Sequence, residues 1–230
     1  MKIAIFGDSF ASYHCKENPS PSWPQLLSCK YQIDNYAESA SSLYFSISKF
    51  LDHHADYDKV IFLITSPGRL TLPDYSNFTD SHGNVLKHVT FESTNRVLTA
   101  QQNGWTYPPR TSKMFNAASE YFKYIQNDNY DEYTHALMIN HIKLVRPNAL
   151  FVDCFKSLFP ITKLENAHYN VPDDDMSQYL DIRNCHLTAK NNMTLACVFE
   201  TWIDTGYFSY STADFSVPTE PFTTYFKKQD

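Results

Sequence analysis

The chain predicts an α/β fold built on a central parallel sheet, and three stretches carry that prediction. Lys59-Val60-Ile61-Phe62-Leu63-Ile64-Thr65 is apolar on both faces, the pattern of a strand in the middle of a parallel sheet. Ile3 to Phe6 is a second apolar run of strand length, stopped at Gly7, a residue that readily takes the dihedrals of a sharp turn. Ala149-Leu150-Phe151-Val152, reached through two helical stretches, reads as a fourth strand leading into Asp153.

The elements follow in order. Cys15 to Pro21 is a polar loop, after which Ser22 caps a short helix with Pro24 tolerated in its first turn. Tyr31 to Tyr36 is the second strand. Leu43 to His54 places apolar residues at 43, 47, 50 and 51, one face of a helix that Asp56-Tyr57-Asp58 ends before the third strand. Residues 71–111 are polar and aromatic with little periodicity and read as an insertion, with a short strand over Val85–Phe91 and a loop from Gln101 to Arg110. Loops of that length often form lids or binding loops, so Trp105 and Tyr107 either face a ligand or pack the insertion onto the body. From Ser112, the positions Met114, Phe115, Ala118, Tyr121, Phe122 and Ile125 keep a helical rhythm. A second helix over Asp131–Val145 carries Tyr133, Leu137, His141 and Leu144 on one side, with Met138, Ile142 and Val145 beside them, an apolar face wide enough to pack firmly on the sheet. It ends by Arg146 because Pro147 disfavours a helical residue before it. Cys154 to Tyr179 is irregular and includes the acidic run Asp173-Asp174-Asp175. A last helix runs from Leu187 through Trp202, and residues from about 206 to 230 form an aromatic, proline-containing tail.

At 230 residues, the simplest organisation is one domain over 1–230. A net charge of −6 with scattered basic residues argues against a nucleic-acid or anionic-membrane surface. No apolar run approaches a membrane span, and a strand entered after a single lysine lacks a signal-peptide pattern. A cytoplasmic site of synthesis is the resulting expectation, including a host-cell cytoplasm or a virus particle. Five cysteines without a close pair suggest reduced thiols. His53, His54, His82 and His88 form no metal-ligand spacing, and no cofactor or metal is expected.

Asp8 and Ser9 fall just past the carboxyl end of the first strand, where open α/β sheets place their ligands. A serine there serves as a nucleophile if a histidine reaches it, and His186 stands far down the chain in Asp181-Ile182-Arg183-Asn184-Cys185-His186-Leu187-Thr188. Each feature has a plainer reading alone. Gly-Asp-Ser can be a helix-capping turn, and a lone histidine can be a cap or a core residue.

Together, Gly7-Asp8-Ser9 after the first strand and an Asp–His block before the last helix resemble the SGNH (GDSL-like) hydrolase family. The resemblance implies a flavodoxin-like three-layer sandwich with a central parallel sheet, here with an insertion after the third strand. It implies esterase or deacylase chemistry on a small ester or an acylated carbohydrate, through Ser9 as nucleophile and His186 as general base. It places the second block in Asn35-Tyr36-Ala37-Glu38-Ser39-Ala40-Ser41-Ser42, with Ala40 at the usual glycine. The Ala40 amide keeps its N–H, so with ordinary dihedrals it would join Ser9 in an oxyanion hole, while Ser39 to Ser42 also reads as a helix cap.

Two departures stand out. The third block has no asparagine, so Thr65, Ser66 or Arg69 would donate instead, Arg69 reading equally as a loop arginine or one paired with Asp8. The acid normally three residues before the histidine is replaced by Arg183, leaving Asp181 first and Asp153 second. Such departures are similar to those of SGNH-like proteins encoded by bacterial viruses. A binding or structural protein on the same fold is the alternative function, since a fold does not fix its chemistry.

Overall fold

A computed structural model of the chain describes residues 1–13, 21–65, 67–72, 78–79, 85–153, 180–181, 186–187, 189–209 and 214–215. Its centre is a four-stranded sheet in the order β2-β1-β3-β6, from Gln32–Asn35 (β2), Lys2–Phe6 (β1), Lys59–Ile64 (β3) and Leu150–Asp153 (β6). All three pairings are parallel, with Ile3 opposite Ile33 and Lys59, and Phe62 opposite Phe151. The expected α/β class with a central parallel sheet is therefore what the chain forms.

Alternation along each strand sorts the core into two layers. Ile3, Ile5, Ile61, Leu63 and Val152 face α1 (Trp23–Ser28) and α6 (Ala189–Thr205), where Trp23, Phe199 and Trp202 are buried. Ala4, Phe6, Val60, Phe62, Ile64 and Phe151 face α2 (Leu43–His53) and α5 (Asp128–Val145), which bring Leu43, Phe50, Ile139 and Ile142. Each buried Val, Leu, Ile or Phe among them contributes roughly 1.5–3 kcal/mol of burial. The chain leaves β1 for β2 on one side and reaches β3 on the other, with α1 and α2 on opposite faces. That reversal opens a crevice at the carboxyl ends of β1 and β3.

The stretch after β3 is more regular than its sequence suggests. Leu70–Thr71 (β4) pairs antiparallel with His88–Val89 (β5), and Phe91–Gln102 forms α3 in a stretch read as having little periodicity, between the expected short strand and the expected loop. Thr90 caps α3 through a reciprocal pair with Ser93, a capping box that uses serine where Glu or Gln is usual. Helix α4 (Pro109–Tyr124) starts earlier than Ser112 and packs Phe115 and Ala118 against Val89 as a small third cluster.

Two faces need correction. On α5, Tyr133, Leu137 and Leu144 are 56%, 50% and 81% exposed, while the buried stripe is His135, Ala136, Ile139 and Ile142. At the C-cap of α4, Ile125 is exposed instead of continuing the buried face. At the end of the chain, His186 lies in strand β8 (His186–Leu187) and α6 begins three residues after it. The expectations for 154–179, for Ser66 and for the tail beyond 215 lie outside the described residues. Among the described residues, no helix is long and apolar enough to cross a membrane.

Candidate active site

The site is built on the turn that follows β1. Gly7 has φ 147°, and a Cβ there would lie 2.9 Å from Leu63 Cβ and 3.2 Å from Ala11 Cβ. No side chain fits, so glycine is required by both dihedral and space. Beyond it the chain turns tightly, with the Ala11 and Ser12 amides both donating to the Asp8 carbonyl at 3.0 Å. Trp23 Nε1 donates to the Phe10 carbonyl at 2.7 Å and Asn35 Nδ2 to the Ala11 carbonyl at 2.7 Å, clamping the turn from α1 and β2. Ser9 is left partly exposed at the crevice.

Asp8 turns the other way. Its side chain is buried, and its carboxylate accepts from the Phe10 amide at 3.0 Å, Thr65 Oγ1 at 3.1 Å and Arg69 Nη1 at 2.7 Å. The Arg69 side chain is itself only 15% exposed. Of the two plainer readings of Arg69 in the sequence, a loop arginine or one paired with Asp8, the pairing is the one present. Because Asp8 lies below the surface, its carboxylate acts within the protein as a brace between the first and third blocks.

The loop after β2 closes over the same turn. The Glu38 amide and Ser41 Oγ donate to the Gly7 carbonyl at 3.2 and 3.0 Å, and Ser12 Oγ lies 3.4 Å from Ser39 Oγ while donating to the Ser9 carbonyl at 3.2 Å. Ser9, Ser39 and Ala40 are thereby brought to one place. Ala40 does not meet the condition set from sequence. Its φ is 61°, in the left-handed region that favours glycine, so its dihedrals are not ordinary. Ser42 caps α2 by accepting from the Phe45 amide at 3.3 Å, so the segment is a helix cap as well.

The insertion is tied to this loop. Ser42 Oγ lies 2.5 Å from Thr71 Oγ1, Thr71 Oγ1 lies 3.3 Å from His88 Nδ1, and Lys87 pairs with Glu38 at 2.6 Å. His88 is buried against Phe45, and burial lowers its pKa to about 4. Trp105 is 59% exposed on the connection between α3 and α4, with Tyr107 half-buried nearby in sequence.

Asp181 and His186 stand directly opposite each other in a two-stranded antiparallel ribbon, Leu180–Asp181 (β7) against β8.

Sequence reading gave Asn35 and Ser41 no bonding role of their own, yet both hold the turns together, and hydroxyl and amide side chains in loops carry no periodic signal. Thr65, read as a possible oxyanion donor, donates to Asp8 instead. His135, on the helix predicted over Asp131–Val145 but not placed on its apolar face there, is 7% exposed within the apolar stripe of α5. Its spacing of four from both Asp131 and Ile139 was the available signal.

No family model matches the chain, and no curated protein matches it. Among solved structures it is similar to a lipase/acylhydrolase from Enterococcus faecalis, at 11% identity and TM-score 0.37 over 91% of this chain and 98% of that one. It is also similar to a protein from Desulfitobacterium hafniense DCB-2 described as lipolytic and of the G-D-S-L family, at 15% identity and TM-score 0.35 over 88% and 98%. Likenesses at this level leave the chemistry to be read from the chain's own residues. A bacterial-virus source gains no support from them.

Proposed function

We propose that this chain is a single-domain SGNH-type serine ester hydrolase that removes an acyl group from a small ester or an acylated carbohydrate. One observation carries the reading. A partly exposed serine sits after a side-chain-intolerant glycine at the carboxyl end of β1, knitted through Ser12 to the Ser39–Ala40 loop.

In this reading Ser9 Oγ attacks the ester carbonyl as His186 takes its proton, giving a tetrahedral oxyanion. The Ser9 amide donates to that oxyanion, and the Arg69 cation, fixed by Asp8, adds favourable field where charge develops. His186 returns the proton to the leaving alcohol, and an acyl-Ser9 ester remains. Water, deprotonated by His186, then releases the acid and restores Ser9. Asp181 orients the imidazole and stabilises its charged form, for which the support is its register opposite His186. In this reading Trp105 and Tyr107, on the connection between α3 and α4, face the bound substrate.

The test is turnover of chromogenic acetyl esters together with labelling by a fluorophosphonate. Wild-type protein should do both and Ser9→Ala neither. Absence of turnover and labelling across a broad ester panel would leave a binding protein on a hydrolase-like scaffold.

A further inference from the structure

The loop after β2 contains a turn whose backbone its own residue resists. The Ser41 amide donates to the Glu38 carbonyl at 3.1 Å, closing four residues with Ser39 and Ala40 at the centre. Ala40 has φ 61° and, among the described residues, is the one non-glycine with a positive φ, so Ser39 stays on the negative side. That combination is the pattern of a type II turn, which asks for glycine where Ala40 stands. A Cβ there biases a free loop against the conformation by about tenfold. Strain of this kind persists only where the surroundings over-determine it.

One element supplies those surroundings on both sides of the strained residue. Two positions before Ala40, the Glu38 carboxylate pairs with Lys87 at 2.6 Å. Two positions after it, Ser42 Oγ lies 2.5 Å from Thr71 Oγ1. Thr71 stands opposite His88 in the β4–β5 hairpin, and the Leu72 amide donates to the Lys87 carbonyl at 2.9 Å, so both gripping side chains share one backbone. The hairpin is itself anchored. His88 is buried edge-on against Phe45 of α2 and stands 3.3 Å from Thr71 Oγ1, and Val89 packs with Phe115 and Ala118 of α4. Bonds to Gly7 and Thr65 hold the Glu38 backbone and Ser41. The side chains flanking the strained residue are held by the hairpin.

The gripped loop reaches the nucleophile. Its Glu38 amide and Ser41 Oγ donate to the Gly7 carbonyl, and Ser39 Oγ sits beside Ser12 Oγ, which donates to the Ser9 carbonyl. We infer that the β4–β5 hairpin is a clamp on this loop, with Thr71 and Lys87 as positioning residues that hold Ala40 left-handed and through it fix the turn of Ser9. The bearing of the clamp on turnover rests on the hydrolase reading above, while the clamp itself does not.

The experiment uses the full chain as wild type, Thr71→Val and Lys87→Met, each also combined with Ala40→Gly and each checked for a cooperative melt. The Ala40 carbon shifts and one-bond Cα–Hα coupling separate positive from negative φ. They should read left-handed in the wild type and move towards negative φ in both single variants. On a chromogenic acetyl ester, each single variant should lose about tenfold in kcat with KM changed less than about twofold, the signature of a displaced nucleophile. Ala40→Gly takes the conformation without strain and should return most of that kcat. Where Thr71→Val fails to fold, Lys87→Met decides, because its ion pair is partly exposed. A negative φ at Ala40 in the wild type, an unmoved Ala40 in the folded variants, kcat indifferent to its displacement, or a loss that Ala40→Gly leaves in place would overturn the inference. A displaced Ala40 without any ester turnover would uphold the clamp and remove the hydrolase; turnover with Ala40 unmoved would do the reverse.

Discussion

Ala40 holds a φ of 61° with a Cβ that penalises that region. Glycine would relieve the strain, though it also gives the unfolded chain more freedom to lose. The balance predicts that Ala40→Gly raises stability by about 0.5–1 kcal/mol, read from a denaturant midpoint at unchanged slope. The Asp8–Arg69 pair works in the opposite sense. Asp8 is fully buried, so removing its cation leaves a charge in an apolar setting. Arg69→Met should cost about 3 kcal/mol, and Asp8→Asn added to it should recover part of that loss. A double variant no more stable than the single one would mean the pair is not what braces the turn.

Among the elements, the β7–β8 ribbon and α5 matter most. The ribbon sets Asp181 opposite His186, and Asp181→Asn keeps the size of the side chain while removing its charge. A triad acid changed in this way lowers kcat by about two to four orders of magnitude with KM little altered. Unchanged kcat would pass the role to another carboxylate, such as Asp153. Helix α5 has apolar residues on more sides than it buries, with Tyr130, Tyr133, Leu137 and Leu144 outward. It anchors to the sheet through Ile139 and Ile142 and sets His135 beneath the crevice.

Across the whole molecule, two buried histidines tie stability to pH. His88 and His135 both have pKa values lowered by burial from 6.5 to about 4. Between those values the unfolded chain binds more protons than the folded one, so unfolding free energy rises with pH across that window. The contribution is fully present above about pH 6.5 and is lost as pH falls towards 4, at up to about 3 kcal/mol per histidine. Urea denaturation at pH 4.5 and 7 should differ by several kcal/mol, and His88→Gln should flatten the profile. A flat wild-type profile would contradict the burial of these rings in solution.

Much of this architecture was legible in the chain itself. Period-two and both-face apolar patterns report burial directly, which is why β1, β3 and β6 and the capped starts of α1 and α2 were readable. Gly7-Asp8-Ser9 after a strand marked the crevice for the same local reason. Helix α3 was not legible, because few of its residues are apolar and its capping box lacks the usual Glu or Gln. The outward face of α5 was misread because an apolar residue is not obliged to be inside. The partner of Arg69, the left-handed turn at Ala40 and the grip of the β4–β5 hairpin on Glu38 and Ser42 were decided by tertiary structure alone. Each depends on contacts between residues distant in the chain, and hydrogen bonds and ion pairs across such distances leave no period in the sequence.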